Sequence, residues 1–332
     1  MKRLAILGAG SWGTALAIAL APRFQTIRLW TRDSSRAAEI SATRENARYL
    51  PGFRLPPQIA VSADGESVVA NAEVLLAVVP SAHLRAVLAS VGRHVRRDAY
   101  LVSATKGMEE ERLCRMSEVA AEVLRGRIAK PTAVVSGPTF AKEIAAGEPA
   151  AVVIACEALN IAEEIQQAFS TATLRFYAST DVTGVELGAA LKNVIAIGAG
   201  ICHGLGLGSN SVAALVTRGL AEITRLATAL GARPRTLSGL AGLGDLVLTA
   251  TGDLSRNRFV GIQLGQGRPL DEILAGMTMI AEGVGTCRAA YRLGARHAID
   301  LPIINEMYEI LYRAKDPRLA IRELMERPLT SE

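Results

Sequence analysis

One lysine sits where a charge has little reason to be. Lys192 lies within Gly188-Ala189-Ala190-Leu191-Lys192-Asn193-Val194-Ile195-Ala196-Ile197, and it is the only charged residue from Leu187 to Cys202. In so apolar a helix an ammonium either snorkels to the surface or faces a polar cavity. Desolvation in a cavity would lower its pKa, as a general acid or base requires. Asn193 adds a hydrogen-bonding side chain beside it. The competing reading is a surface lysine on an amphipathic helix, and the lack of other charges weighs against it. Only six of the 37 basic residues are lysines: Lys2, Lys106, Lys130, Lys142, Lys192 and Lys315. A chain that otherwise uses arginine keeps lysine where a compact ammonium or a shiftable pKa has a use.

Other clusters could work with it. Lys106 stands in Ser103-Ala104-Thr105-Lys106-Gly107, just behind an apolar run, where a cation would face a ligand cleft. Ser136-Gly137-Pro138-Thr139-Phe140-Ala141 follows the next run, and its Gly-Pro turn offers backbone amides and a hydroxyl. Either could equally be a plain loop. Asp245 follows Leu240-Ala241-Gly242-Leu243-Gly244. A carboxylate in such company calls for a cationic partner, with Lys192 the candidate and an exposed loop aspartate the alternative. Ser255-Arg256-Asn257 opens a helix. A serine cap, an arginine fork and free helix N–H groups make a phosphate cradle; a simple capped surface helix is the plainer reading.

Gly8-Ala9-Gly10-Ser11-Trp12-Gly13 lies between apolar Leu4-Ala5-Ile6-Leu7 and the helical run Thr14 to Leu20. Strand, glycine turn and helix in that order, with a second strand following, suit a dinucleotide pyrophosphate; an ordinary strand-turn-helix corner is the bland alternative. Gly198-Ala199-Gly200 and Gly242-Leu243-Gly244 lack the third glycine and the preceding strand, so they read as helix-packing or turn glycines. The second strand ends Leu29-Trp30-Thr31-Arg32, with Asp33 next. Arginine there can hold the 2′-phosphate of NADP(H), while an acidic residue would favour NAD(H). NADP(H) is favoured and Asp33 keeps NAD(H) open.

The elements that must position these residues change character midway. Before Ser179, short apolar runs (Gln58 to Val61, Val74 to Val79, Tyr100 to Ser103, Thr132 to Ser136, Ala150 to Ala155, Leu174 to Tyr177) alternate with helical patterns at His83 to Val91, Glu109 to Leu124 and Ala158 to Phe169. That alternation predicts an α/β, Rossmann-like, doubly wound and mostly parallel sheet over 1–180. From Asp181 the strand pattern stops. Val185 to Ile201, Ser211 to Leu230, Asn257 to Leu264, Leu270 to Leu274, Gly283 to His297, Ile303 to Ala314 and Arg318 to Met325 read as helices. An all-helical substrate domain over 181–332 is expected, with the cleft between the two.

Composition narrows the classes. A chain of 332 residues, half of them hydrophobic, supports two domains and ample core. No run of about 18 uncharged apolar residues is evident, and the first apolar stretch is broken by the glycine loop, unlike a signal peptide. Cys114, Cys156, Cys202 and Cys287 lie far apart, as do the four histidines, so neither a disulfide framework nor metal-ligand spacing is implied. The reading is cytoplasmic. The net charge of +5 is spread thinly, which speaks against nucleic acid and suits an enzyme of small anions. Pairing of two copies through the helical domain is left open.

Taken together, the motifs resemble NAD(P)-dependent glycerol-3-phosphate dehydrogenase of the soluble bacterial type over nearly the whole chain. Gly8 to Ala15 is a match shared by many dehydrogenases; the specific ones, in this order, are Ser103 to Gly107, Ser136 to Glu143, Leu191-Lys192-Asn193, Leu243-Gly244-Asp245-Leu246 and Ser255-Arg256-Asn257. The resemblance implies hydride transfer between a nicotinamide cofactor and sn-glycerol 3-phosphate, giving dihydroxyacetone phosphate and feeding phospholipid synthesis. It implies Lys192 as the proton acceptor or donor. It implies substrate contacts from Lys106, Gly137, Thr139, Lys192, Asp245, Ser255, Arg256 and Asn257. Cofactor contacts are implied for Gly8, Gly10, Ser11, Trp12, Gly13, Arg32, Tyr49, Lys106, Ala141, Arg256, Ile280 and Glu282. Thr139 stands where the family often carries Ser, and Asp33 where a second basic residue is common. The alternatives are another two-domain 3-hydroxy acid dehydrogenase, like 6-phosphogluconate dehydrogenase, or a non-catalytic NADP-binding regulator. A phosphate-free substrate would leave Arg256 and Asn257 without a purpose, and a non-catalytic regulator would not need Lys192.

Overall fold

The computed structural model describes residues 1–329. Eight apolar runs become the strands of one sheet: β1 (Arg3–Leu7), β2 (Thr26–Trp30), β3 (Ile59–Ser62), β4 (Val74–Ala77), β5 (Tyr100–Ser103), β6 (Ala133–Ser136), β7 (Ala150–Ala155) and β8 (Leu174–Ser179). Their order is β8-β7-β6-β5-β4-β1-β2-β3. Neighbours are parallel except β6 and β7. A strand covered on both faces has no polar side to show, which is why Leu4 to Leu7 and Val74 to Ala77 are apolar throughout. Leu4, Ile6, Leu16 and Leu29 pack one face of the sheet. Ala5, Leu7, Leu75 and Leu88 pack the other.

The chain runs outward from β1 to β2 and β3, then crosses back to β4 on the other side. That reversal leaves a crevice at the carboxyl ends of β1 and β4. The loops after β1, β4, β5 and β6 all open on it, because those strands are mutually parallel. Helix α1 (Ser11–Leu20) starts within the glycine loop, and α2 (Ser34–Thr43) follows β2.

Beyond Asp181 every regular element among the described residues is helical. Those that build the site are α3 (Val182–Gly204), α4 (Asp245–Thr251), α5 (Arg256–Gly265) and α6 (Glu282–Arg296). The longest, α3, is buried nearly end to end and forms the axis of the domain. By length and mean hydropathy (1.5) it could cross a membrane, but that whole window is buried inside the protein. Its apolar residues form a core with Ile223, Leu226, Leu246, Val260 and Ile304. Each such side chain contributes about 1.5–3 kcal/mol on burial. Glycine sets its distance from α5. A Cβ at Gly200 would lie 2.1 Å from the Arg258 carbonyl oxygen, and one at Gly261 would lie 1.9 Å from that of Ile197. Gly200 is thus a helix-packing glycine, as the sequence suggested, and not part of a second nucleotide loop.

One local expectation needs correction. Glu109 to Leu124 is not one helix: Met108–Glu109 pairs antiparallel with Cys114–Arg115, and the helix begins at Met116. The apparent helical period is broken by a turn with Leu113 at φ 60°. Glu109 is drawn to Arg85 and Glu110 to Arg288, so the segment lies across both domains. Helix α2 and the short pairing of Glu45–Asn46 with Leu50–Arg54 were also not foreseen.

Candidate active site

Helix α3 delivers Lys192 to the interior. The Asp181 side chain caps its start, accepting from Gly184 N at 2.9 Å, and Lys192 is only 4% exposed. An unpartnered buried ammonium would be strongly unfavourable. Here Nζ donates to Asp245 Oδ1 at 2.5 Å and to Thr249 Oγ1 at 2.7 Å. Desolvation still dominates: with repulsion from Lys106 it lowers the Lys192 pKa to about 7, against the pull of Asp245. Burial alone would raise the Asp245 carboxyl, but Lys106 and Lys192 hold it below its ordinary value. The carboxylate therefore stays charged while the lysine sits near the point of losing its proton.

Asp245 owes its position to the glycines before it. Leu240–Gly244 forms one π turn that runs directly into α4. A Cβ at Gly242 would meet the Leu237 carbonyl oxygen at 2.0 Å, and one at Gly188 of α3 would meet that of Ala241 at 2.6 Å. Bare backbone lets this turn press against α3 and aim the carboxylate at Lys192. Such π turns are frequent at functional sites.

Lys106 reaches the same carboxylate from the sheet. Its Nζ donates to Asp245 Oδ2 at 2.9 Å, to the Gly137 carbonyl oxygen at 3.2 Å and to Thr139 Oγ1 at 3.4 Å. Ser136 Oγ donates to the same Oδ2 at 3.3 Å. Gly137, at φ +156°, turns the loop after β6 against the neighbouring β7, where a Cβ would lie 2.9 Å from the Val152 Cα. Two ammonium groups thus share one carboxylate across the seam between the domains. The excess positive charge suits an anionic ligand.

The helix start at Ser255-Arg256-Asn257 lies beside this centre. Ser255 Oγ accepts from Arg258 N at 3.2 Å, so that oxygen serves as the cap of α5. Asn257 Nδ2 donates to Asn193 Oδ1 at 2.9 Å, and Gly283 N donates to Asn257 Oδ1 at 2.9 Å. Asn257 thereby locks α5 and α6 to the neighbour of Lys192. Arg256 is exposed, near the Glu282 carboxylate.

The glycine loop has the shape a dinucleotide needs. Gly8, at φ +117°, takes the tight turn, and a Cβ there would lie 2.5 Å from the Val78 carbonyl oxygen. A Cβ at Gly13 would lie 1.9 Å from the Gly8 carbonyl oxygen, so Gly13 serves close packing of α1 on β1. Gly10 faces open space: a Cβ there would meet nothing within 4 Å. These are the three separate uses a pyrophosphate loop makes of glycine. The Trp12 indole Nε1 is buried there and has no hydrogen-bond partner among the described residues.

The remaining sequence candidates are spread along the same cleft. Ser11 Oγ contacts Met279 Sδ at 3.8 Å, bridging the domains. Glu282 accepts from Ser81 N at 3.1 Å and from Ser81 Oγ at 2.5 Å, and burial raises its pKa. Ile280 is exposed beside it. Ala141 begins a short helix packed on the sheet core. Arg32 is exposed at the end of β2, and Tyr49, on the Glu45–Arg54 excursion, accepts from Arg36 at 3.1 Å. Neither touches the Lys192 centre.

Two further side chains take part. Thr249 stands four residues after Asp245, on the same helical face, a spacing that was there to be used. Glu186, buried on α3, accepts from Ser117 N at 2.8 Å and Ser117 Oγ at 2.5 Å and pairs with Arg115 at 3.1 Å. It ties the end of the excursion that starts after Lys106 to the helix that carries Lys192. Nothing local in the sequence announces a contact across that distance.

Comparison with known proteins is consistent along the chain. Residues 3–173 match the model for the NAD-dependent glycerol-3-phosphate dehydrogenase N-terminus, and 181–322 match that for its C-terminus. A glycerol-3-phosphate dehydrogenase [NAD(P)+] from Koribacter versatilis (strain Ellin345) is 51% identical, covering 100% of this chain and 99% of that protein. One from Geobacter sp. (strain M21) is 48% identical with the same coverage. The crystal structure of glycerol-3-phosphate dehydrogenase from Coxiella burnetii superposes with a TM-score of 0.93 at 39% identity, covering 98% of this chain and 99% of that one.

Proposed function

The chain belongs to the NAD-dependent glycerol-3-phosphate dehydrogenase family, and on that premise we propose that it interconverts sn-glycerol 3-phosphate and dihydroxyacetone phosphate with NAD(P)(H), Lys192 moving the proton. The observation that carries the assignment of Lys192 is its placement against Asp245 with a pKa lowered to about 7. The bound nicotinamide supplies or accepts the hydride. The side chains do the rest.

In the reducing direction the Lys192 ammonium gives its proton to the carbonyl oxygen as the carbon is reduced. A donor poised near ambient pH is the efficient choice. Asp245 and Thr249 fix the direction of Nζ, so the proton need not be searched for. Lys106 adds a second positive charge where alkoxide character grows, which stabilises it electrostatically. In oxidation the neutral amine takes the hydroxyl proton.

Arg256, Asn257 and the free N–H groups at the start of α5 anchor the phosphate. A charged hydrogen bond contributes about 1.5–3 kcal/mol. Anchoring a remote group of the substrate holds the carbonyl in register. Gly8, Gly10 and Gly13 hold the cofactor pyrophosphate, with Ser11 and Trp12 at the same loop and Lys106, Ala141, Ile280 and Glu282 along the cleft. Residues 1–180 form the dinucleotide domain in this reading, and 181–332 the substrate domain. Supply of glycerol 3-phosphate to phospholipid synthesis is the role assigned. The cytoplasm is the compartment, which the four unpaired cysteines support. Two copies pairing through the helical domain belong to the same reading, and light scattering reads that directly.

The test is cofactor oxidation with dihydroxyacetone phosphate against dihydroxyacetone, run with NADPH and NADH. The phosphorylated ketone is expected to react at least about a hundredfold faster in kcat/KM, the worth of one or two charged hydrogen bonds. Equal rates would reject the phosphate anchor.

A further inference from the structure

We propose that Arg36 and Arg48, gathered on the ring of Tyr49, select the cofactor: with Arg32 they form a three-guanidinium seat for the ribose 2′-phosphate, while Asp33 caps the next helix and does not read the ribose. The inference rests on the reading of the glycine loop as the dinucleotide site.

The corner is physically tied to that loop. Gly8 N donates to the Trp30 carbonyl oxygen at 3.1 Å, fixing the end of β2 beside the glycines. Asn46 is 1% exposed; its Nδ2 donates to the Ala9 carbonyl oxygen at 2.9 Å and to Thr14 Oγ1 at 2.8 Å. Tyr49 N donates to the Asn46 carbonyl oxygen at 3.2 Å. Tyr49 is therefore placed by the same backbone that forms the pyrophosphate turn. On its ring lie two cations: the guanidinium carbon is 4.9 Å from the ring centroid for Arg36 and 5.5 Å for Arg48. Arg36 also donates to the Tyr49 hydroxyl at 3.1 Å. Guanidinium groups held against an aromatic ring keep donors free for an oxyanion and lose less freedom when one binds.

The neighbouring contacts separate the groups that are free to act from those that are not. Arg44 is not available, because its guanidinium donates to the carbonyl oxygens of Leu55, Pro56 and Ile59. Glu45 accepts from Gly52 N at 2.8 Å. Among the described residues, Arg32 and Arg48 make no ion pair and are exposed. Asp33, the residue that would read the ribose hydroxyls of NAD, is otherwise engaged. Its Oδ1 accepts from Ser35 N at 3.0 Å, Ser35 Oγ at 2.8 Å and Arg36 N at 3.2 Å, which makes it the cap of α2. Its Oδ2 faces Arg36 at 3.5 Å. That pairing offsets part of the Arg36 charge, and the excess from Arg32 and Arg48 still favours a dianion over a hydroxyl pair.

Isothermal titration of adenosine 2′,5′-bisphosphate and adenosine 5′-monophosphate tests this without catalysis. Wild type should bind the bisphosphate at least about tenfold tighter, as charged hydrogen bonds imply. Arg36→Gln and Arg48→Gln should each shrink that ratio about three- to tenfold, Arg36→Lys should restore part of it, and Asp33→Asn should leave it within about twofold. Arg48 is exposed and, among the described residues, lacks the hydrogen bond and ion pair that tie Arg36 into the corner, so Arg48→Gln serves even if Arg36→Gln unfolds it. Equal weakening of both nucleotides, or an unchanged ratio in both arginine variants, would overturn the proposal while leaving the dinucleotide site standing. Failure of wild type to bind either nucleotide would overturn both.

Discussion

Lys192 Nζ and Lys106 Nζ approach opposite oxygens of one carboxylate, at 2.5 Å from Asp245 Oδ1 and 2.9 Å from Oδ2. The two lysines come from different domains, so the ion cluster exists only when the domains are docked. Burial lowers the Lys192 pKa and Asp245 pulls against it, while the same carboxylate joins Lys106 to the centre.

Thr249 is the second fixed point of the Lys192 amine. Thr249→Val keeps the volume and removes the hydroxyl. A hydrogen bond to a charged group contributes about 1.5–3 kcal/mol, so kcat should fall about 10- to 100-fold with KM for the cofactor unchanged. Steady-state kinetics of ketone reduction check it.

The lowered Lys192 pKa gives opposite pH dependences in the two directions. Reduction needs the ammonium, so its kcat/KM should fall as pH rises through about 7; oxidation needs the amine and should rise over the same range. Stability follows by linkage. The folded pKa, about 7, lies below the ordinary 10.5, so the unfolded chain holds more protons across that interval. Stability from this group grows with pH there and is lost as pH falls through about 7. Lys192→Met should flatten Tm against pH between those values, as calorimetry would show.

Arg256→Ala should remove the advantage of the phosphorylated ketone over the plain one. The expected loss is about 10- to 100-fold in kcat/KM for dihydroxyacetone phosphate and little for dihydroxyacetone. A parallel loss on both substrates would mean the side chain braces the fold instead of holding phosphate.

Gly261→Ala tests the packing that places the cradle. Its Cβ would lie 1.9 Å from the Ile197 carbonyl oxygen, a backbone atom that has little room to yield. Overpacking of this kind costs about 1–3 kcal/mol. Tm should drop, and phosphate discrimination should weaken because α5 carries Arg256 away from α3.

Much of this was legible in the residues. The doubly wound sheet followed from apolar runs spaced by helical patterns, and Lys192 from one charge in an apolar stretch. Asp245 as its partner followed from the mismatch between a carboxylate and its glycine-rich surroundings. What escaped was set by contacts distant in sequence. Glu109 to Arg115 has a helical period but is pulled flat by Arg85, Arg288 and Glu186, which no local pattern contains. Asn46 gave no sign of bracing Ala9, because its function depends on a hairpin held only by two short strands.

The most direct measurement is Lys192→Met, read as kcat for dihydroxyacetone phosphate reduction beside NADPH affinity by titration. At least about a hundredfold loss of kcat is expected, the usual worth of general acid catalysis, with cofactor affinity within a few-fold of wild type. Retention of near-wild-type kcat in a folded Lys192→Met variant would contradict the assignment of the proton to this amine.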